Sequence, residues 1–428
     1  MAAPLTPPES IRVDRVVAGG EGLGRLADGR TVFVPGGLPG DQVTVDDFQD
    51  KGRWGRARAW TLQEPSPDRV EPACPVADRC GGCDWMSWGL DAQRAGKAAV
   101  VADALRRTGG VDVEPPTVLG AEDLGYRARI RLAVSEGVIG FRGRGSHGVV
   151  AVERCAVADP ALNEALQTIA ELDPPPAGVL EIELRADAET VHGRLLLDRV
   201  GKPERTWAYL FGQRLPTVVD QRKGRRTVRL HGRWIAPEPP RQTWPLTDSV
   251  TLSASSRAFT QVHPGANRLL VQTVLDAVPE GATTFVDAYC GAGNFALPLL
   301  ARGLSGLGMD GSRDAVTDAQ QSAADQGLAG VFVVGDIKKE LGKAVADARL
   351  TRPDVLVVDP PRAGAKKALD ALLAIEPQRI VYVACDPVSL ARDVKTLVGL
   401  GWSLTRLTAV DLFPQTHHVE TVAVLDPA

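Results

Sequence analysis

The sequence predicts an α/β protein whose C-terminal part is a Rossmann-like, doubly wound parallel sheet, preceded by a small β-barrel and a mixed α+β middle segment. Three observations carry this. From about Thr283, apolar strands alternate with helical stretches through TTFVDAY, LSGLGMD, GVFVVGD, PDVLVVDPP and RIVYVACDP, the rhythm of repeated βα units. Residues 10–60 instead show short β-branched runs punctuated by glycine, which suits a five-stranded barrel. Between them strands and helices mix without a regular order. The expected domains are 1–63, 64–255 and 256–428, with a helix near 91–107 placed to pack on the last of these.

A chain of 428 residues has room for two or three such cores, and 44% hydrophobic with 24% charged residues is ordinary for a globular protein. Lys and Arg total 49 against 53 Asp and Glu, a net charge of −4, so any surface for a polyanion must be local. No apolar run reaches membrane-spanning length, and the first residues lack a basic start followed by an apolar core. The expectation is a cytoplasmic protein without membrane contact. In that reducing setting the six cysteines are read as metal ligands or catalysts rather than disulfides.

In the first segment IRVDRVV, AGGEGLGRLADG, RTVFVP, GGLPGD, QVTVDDF and WGRARAWTL supply the strands and turns. Their order resembles the TRAM domain, an OB-like barrel found on RNA-modifying enzymes.

The second segment opens on Cys74, Cys80 and Cys83, with Gly81 and Gly82 letting the backbone wrap closely, and Cys155 offers a fourth thiol. Four thiolates suit an iron–sulfur cluster or zinc. One five-residue gap, one two-residue gap and a distant fourth ligand depart from the paired spacing of structural zinc, so a [4Fe-4S] cluster is expected, with zinc as the alternative. Farther on, QRKGRRTVRLHGRW holds Arg222, Lys223, Arg225, Arg226, Arg229 and Arg233 without an acid, and Arg127, Arg129, Arg131, Arg142 and Arg144 form a second basic group. Such patches can neutralise phosphates.

In the third segment the first strand runs into Cys290-Gly291-Ala292-Gly293-Asn294, a tight turn at the edge where open α/β sheets bind ligands. Asp310 ends the second strand, where an acid can accept from both ribose hydroxyls, and Asp336 ends the third, where an adenine-facing acid would lie. The turn lacks the third glycine of a dinucleotide site, which points to an adenosyl ligand without phosphates. The fourth strand ends in Asp359-Pro360-Pro361-Arg362, the fifth delivers Cys385 to the same edge, and Glu420 begins a final strand after His417 and His418.

With CPVADRCGGCDW, AFTQVHPGAN, VDAYCGAGNFALPLL, VVDPPRAG, YVACDPVSLARD and VDLFPQTHHVETVAVL in this order, the chain resembles the RNA uracil-5-methyltransferase family over nearly its whole length. The resemblance implies S-adenosylmethionine held by Gln261, Tyr289, Asn294, Asp310 and Asp359, Cys385 as nucleophile, Glu420 as base, and a cluster on Cys74, Cys80, Cys83 and Cys155. Uracil is too electron-poor at carbon 5 to attack a methyl sulfonium directly, so a thiolate must first add at carbon 6, and a base must later remove the carbon 5 proton. Arg362, His417 and His418 are candidates to favour the thiolate, and Phe259, Tyr289 and Phe413 to stack on a flipped base. The expected partner is RNA, ribosomal ahead of transfer RNA, acted on by a monomer. A non-catalytic RNA-binding or redox-sensing protein is the rival reading. Three departures stand out: His263 and Asp386 where the family usually has asparagine, and Asp310 where it has glutamate. They bear on substrate fit and, for Asp386, on the thiol pKa.

Overall fold

The computed structural model describes residues 9–222 and 241–428 apart from residue 351, and the backbone of 223 and 226–229. Of the first basic run only the side chain of Arg222 is therefore described; those of Lys223, Arg225, Arg226, Arg229 and Arg233 lie outside the described residues.

Strands β1 (Glu9–Val16), β2 (Gly22–Arg25), β3 (Thr31–Val34), β4 (Gln42–Asp50) and β5 (Trp54–Glu64) close a barrel in the order β1-β2-β3-β5-β4. Alternation fills it: Val13, Val32, Val34 and Val43 point inward and are fully buried, while their neighbours face out.

The chain then passes the cysteines, forms α1 (Leu90–Ala104) and a π turn, and contributes the short β6 (Val118–Gly120). A second sheet follows, from β7 (Arg129–Ser135), β8 (Val138–Arg142), β9 (Val149–Ala151), α2 (Pro160–Ala170), β10 (Val179–Ala186), β11 (Val191–Leu197), α3 (Lys202–Arg214), β12 (Thr217–Lys223) and β13 (Arg226–Arg229). Its order is β13-β12-β11-β10-β7-β8-β9. Leu162, Leu166 and Ile169 of α2 and Trp207 and Phe211 of α3 cover one face against Ile130, Ile182, Leu184 and Leu195.

The hairpin β14 (Arg241–Pro245) and β15 (Thr251–Ser255) precedes α4 (Pro264–Asp276), β16 (Thr284–Ala288), α5 (Ala296–Ala301), β17 (Ser305–Asp310), α6 (Arg313–Asp325), β18 (Val331–Val334), α7 (Ile337–Asp347), β19 (Val355–Val358), α8 (Leu369–Leu373), β20 (Ile380–Ala384), α9 (Pro387–Gly399), β21 (Trp402–Asp411) and β22 (Glu420–Pro427). The large sheet runs β18-β17-β16-β19-β20-β22-β21-β6. Every residue of β19 and β20 is buried, as both-sided helical cover requires of central parallel strands. Only β22 runs against its neighbours β20 and β21. The expected doubly wound sheet and N-terminal barrel are therefore both present.

Elements from before residue 256 join this core. Trp244 and Leu252 of the β14–β15 hairpin and Val101 and Leu105 of the α1 region are buried with the helices and strands of the large sheet. No helix among the described residues is long and apolar enough to cross a membrane.

Candidate active site

The strand order of the large sheet reverses at β16, between β17 and β19, and a cavity of about 590 Å3 opens there at the carboxyl edge. The turn after β16 shapes its floor. Tyr289 sits at φ 67, Gly291 at φ 55 and Gly293 at φ 98, so the chain reverses through left-handed residues, one of which is a strained tyrosine. A Cβ on Gly293 would lie 2.9 Å from the Leu297 side chain, so the glycine also permits close helix packing. The Asp310 carboxylate accepts from the amides of Gly291 at 3.1 Å and Ser312 at 2.7 Å, which fixes it at the end of β17. Asn294 and Asn267 exchange amide hydrogen bonds of 2.8 and 3.0 Å, tying this turn to α4.

Acids dominate the cavity. Asp359 follows β19, and burial with the nearby Asp310 charge pushes its carboxyl up to about 7. Glu420 is raised well above its ordinary value by burial and then by Asp359, against the opposing charge of Arg362, and its Oε2 has no hydrogen-bond partner among the described residues. Burial, then Glu420 and Asp359, push the Cys385 thiol up to about 12, again opposed by Arg362. Arg362 lies 2.9 Å from Nδ1 of His418, whose ring burial, His417 and Arg362 itself push down to about 4. His418 is thus a neutral acceptor that orients Arg362, and Arg362 is the group favouring a thiolate. His417 is engaged elsewhere, 2.5 Å from Asp84. Three carboxyl groups, those of Asp310, Asp359 and Glu420, thus share the cavity with the guanidiniums of Arg127 and Arg362.

A family profile described as tRNA (uracil-5-)-methyltransferase matches residues 246–427, and a TRAM-domain profile matches 10–59. Over 414 residues the chain is 32% identical to the 23S rRNA (uracil(1939)-C(5))-methyltransferase RlmD of Shewanella sediminis, covering 93% of this chain and 91% of that protein. The chain belongs to the RNA uracil-C5-methyltransferase family. It is also 34% identical over 453 residues to an uncharacterized RNA methyltransferase of Streptomyces avermitilis, covering 98% of each. Among solved structures it is similar to the Pyrococcus abyssi tRNA (uracil-54, C5)-methyltransferase in complex with S-adenosyl-L-homocysteine. That similarity has 25% identity and a TM-score of 0.76, and covers 97% of this chain and 100% of that one. Members of the family are S-adenosylmethionine-dependent.

For a uracil-C5-methyltransferase the expected residues are mostly assembled: Gln261, Tyr289, Asn294, Asp310, Asp359, Cys385 and Glu420 all line the one cavity. Asp336 does not line it. Its carboxylate caps α7, accepting from the Lys339 amide at 3.2 Å, because an acid at the end of β18 is also the residue before a helix. Phe259 is 63% exposed at the mouth, its ring over the Arg129 guanidinium at 5.1 Å, and Phe413 meets His418 edge-on.

Two of the three departures turn out to be helix caps. His263 is buried; its Nδ1 accepts from the Ala266 amide at 3.3 Å, its Nε2 donates to the Glu122 carbonyl at 2.9 Å, and the ring stacks on Tyr126. It does not line the cavity, and its cap is a role that asparagine also fills. Asp386 caps α9, accepting from the Ser389 amide at 2.7 Å. The expected influence of Asp386 on the thiol is replaced by that of Glu420 and Asp359.

Cys74, Cys80, Cys83 and Cys155 line a separate cavity of about 40 Å3. Burial pushes Cys83 up to about 12 and raises Cys80 and Cys155, with Arg127 opposing each shift. Among the described residues no group of three or more His, Cys, Asp or Glu is arranged to hold a single metal ion. Arg127 lines both this cavity and the active-site cavity. Sequence reasoning passed over Asp287, fully buried at β16 with its carboxyl far above the ordinary value. An acid inside the apolar run TTFVDAY was the available signal.

Proposed function

We propose that this enzyme methylates carbon 5 of a uridine in 23S ribosomal RNA, with Cys385 as nucleophile and Glu420 as general base. The observation that carries the reading is the meeting of that thiol and that carboxyl in one buried cavity at the cofactor edge of the sheet. The Cys385 thiolate adds to carbon 6 of the uracil, carbon 5 takes the methyl group, Glu420 removes the carbon 5 proton, and the thiolate is expelled as the double bond re-forms. S-adenosylmethionine, when bound, supplies the electrophilic methyl. Glu420 suits its task because burial makes it a stronger base than an exposed carboxylate. Arg362, oriented by His418, offsets the acids around the thiol. Asp310 and Asp359, with Gln261, Tyr289 and Asn294, would hold the cofactor, while Asp336 acts indirectly by capping α7.

The choice of 23S ribosomal RNA follows relatives such as the Shewanella enzyme; a transfer RNA uridine is the second reading, favoured by the Pyrococcus structure. The four cysteines lining one cavity support a [4Fe-4S] cluster. The middle and catalytic domains of 64–255 and 256–428 would then share α1, β6 and the β14–β15 hairpin at their junction. The enzyme would act as a cytoplasmic monomer.

The test is incubation with S-adenosylmethionine and a 23S transcript carrying 5-fluorouridine, whose fluorine cannot leave as a proton does. A denaturation-stable protein–RNA adduct, lost in Cys385→Ala, is expected. Absence of adduct with ribosomal RNA but its formation with transfer RNA would select the second reading, and absence with both would overturn the covalent mechanism.

A further inference from the structure

The connector 412–419 between β21 and β22 brings Phe413 and His418 to the cavity and leads directly into Glu420. Within it Gln415 is buried yet sits at φ 69, a left-handed conformation that a non-glycine residue keeps only where its surroundings enforce it. Those surroundings come from 322 residues earlier in the chain. Gln93 of α1 is fully buried; its Oε1 accepts from the Gln415 amide at 2.8 Å, and its Nε2 lies 3.0 Å from Gln415 Oε1, 2.7 Å from the Trp88 carbonyl and 3.1 Å from the Trp85 carbonyl. Trp85 in turn donates from its amide to the Gln415 carbonyl at 3.0 Å.

Neighbouring contacts extend the grip. One turn along α1, the buried Lys97 ammonium binds Asp411 and the Phe413 carbonyl. The Tyr126 hydroxyl donates to the Pro414 carbonyl at 3.0 Å. The connector is therefore held by its backbone from outside its own sheet. By contrast Cys385 follows β20, a central strand paired on both sides by β19 and β22, and none of these hydrogen bonds is made to it.

We propose that Gln93 is a positioning residue for Glu420: by holding Gln415 in its left-handed conformation it fixes the course of the connector and hence the approach of the base. The inference rests on the covalent mechanism proposed above. It makes an asymmetric prediction, because Glu420, although paired with Val410 of β21, is entered directly from the connector, whereas Cys385 is not. Loss of Gln93 leaves addition to carbon 6 and methyl transfer intact and slows removal of the carbon 5 proton, so the covalent protein–RNA species accumulates.

The experiment uses the full chain, S-adenosylmethionine and an ordinary, uridine-containing 23S transcript. For Gln93→Ala, kcat is expected to fall about 10- to 100-fold, with KM for RNA and Kd for S-adenosylhomocysteine within about twofold of wild type. A denaturation-stable adduct, absent from wild type, should appear. Wild-type turnover, a change confined to KM, or lost turnover without adduct would overturn the proposal. If Gln93→Ala melts early, Gln93→Glu keeps the shape and the acceptor for the Gln415 amide but loses the amide donors, and is judged by the same readouts. Wild-type enzyme on the 5-fluorouridine transcript separates the two ideas: no adduct there condemns the covalent mechanism itself, whereas an adduct there with normal behaviour of the variants condemns only the role of Gln93.

Discussion

Cys385 and Glu420 are cross-strand neighbours. β20 and β22 run antiparallel with Ala384 paired to Thr421, so the next position of the ladder sets the thiol leaving one strand opposite the carboxyl starting the other. In an antiparallel pair such residues share a face of the sheet. A single reversed strand thus brings the beginning of β22 to the edge where the parallel strands end.

The pairing predicts separable defects. Cys385→Ala should give no adduct on any transcript while still binding S-adenosylhomocysteine. Glu420→Gln should form adduct on ordinary uridine and lose about 10²- to 10⁴-fold in turnover. Gel analysis under denaturing conditions, alongside methyl incorporation, checks both.

Asp359 predicts a pH dependence of stability. Its carboxyl stands at about 7 in the folded protein against 3.8 ordinarily, so the fold binds this proton more tightly than the unfolded chain does. The associated stability is fully present below about pH 4 and is lost as pH rises through about 7. Asp359→Asn should therefore melt close to wild type near pH 4, melt progressively higher than wild type up to about pH 7, and keep a constant lead above that. Urea denaturation without cofactor across this range measures it.

His263 predicts a swap without consequence. Since its ring caps α4 outside the cavity, His263→Asn should preserve the cap and leave kcat unchanged. His263→Ala should lose about 0.5–2 kcal/mol from the cap, with further loss from the Tyr126 stack. Equilibrium unfolding and steady-state kinetics on the same preparations test this.

The four thiols predict a chemical composition. Anaerobically prepared protein should hold about four iron and four sulfide per chain, and Cys155→Ser should lose them. Zinc in equimolar amount would refute the cluster.

The sequence was most legible where local physics governs. Apolar strands followed by glycine or acid revealed the large sheet, and glycine-punctuated β-branched runs revealed the barrel. The cavity was legible because strand ends converge there, so Asp310, Asp359 and Cys385 could be placed from strand order alone. The cap made by Asp336 was not legible, because a strand-end acid and a helix cap look alike until the side chain is placed. His263 and Asp386 looked like changes to the site for the same reason. Gln93 and Lys97 gave no signal, since their partners Gln415 and Asp411 are reached only through the tertiary fold. The three-residue β6 was too short to register against its surroundings.

That short strand has a practical consequence. β6 pairs in parallel with Ala409, Val410 and Asp411, the buried end of β21, and closes this margin of the sheet. A fragment cut at 256 to isolate the catalytic half would expose an apolar edge strand and leave Asp411 without the Lys97 ammonium. Open edges of this kind recruit other strands. Such a fragment is expected to self-associate, and a productive truncation would have to retain the chain from α1 through β6.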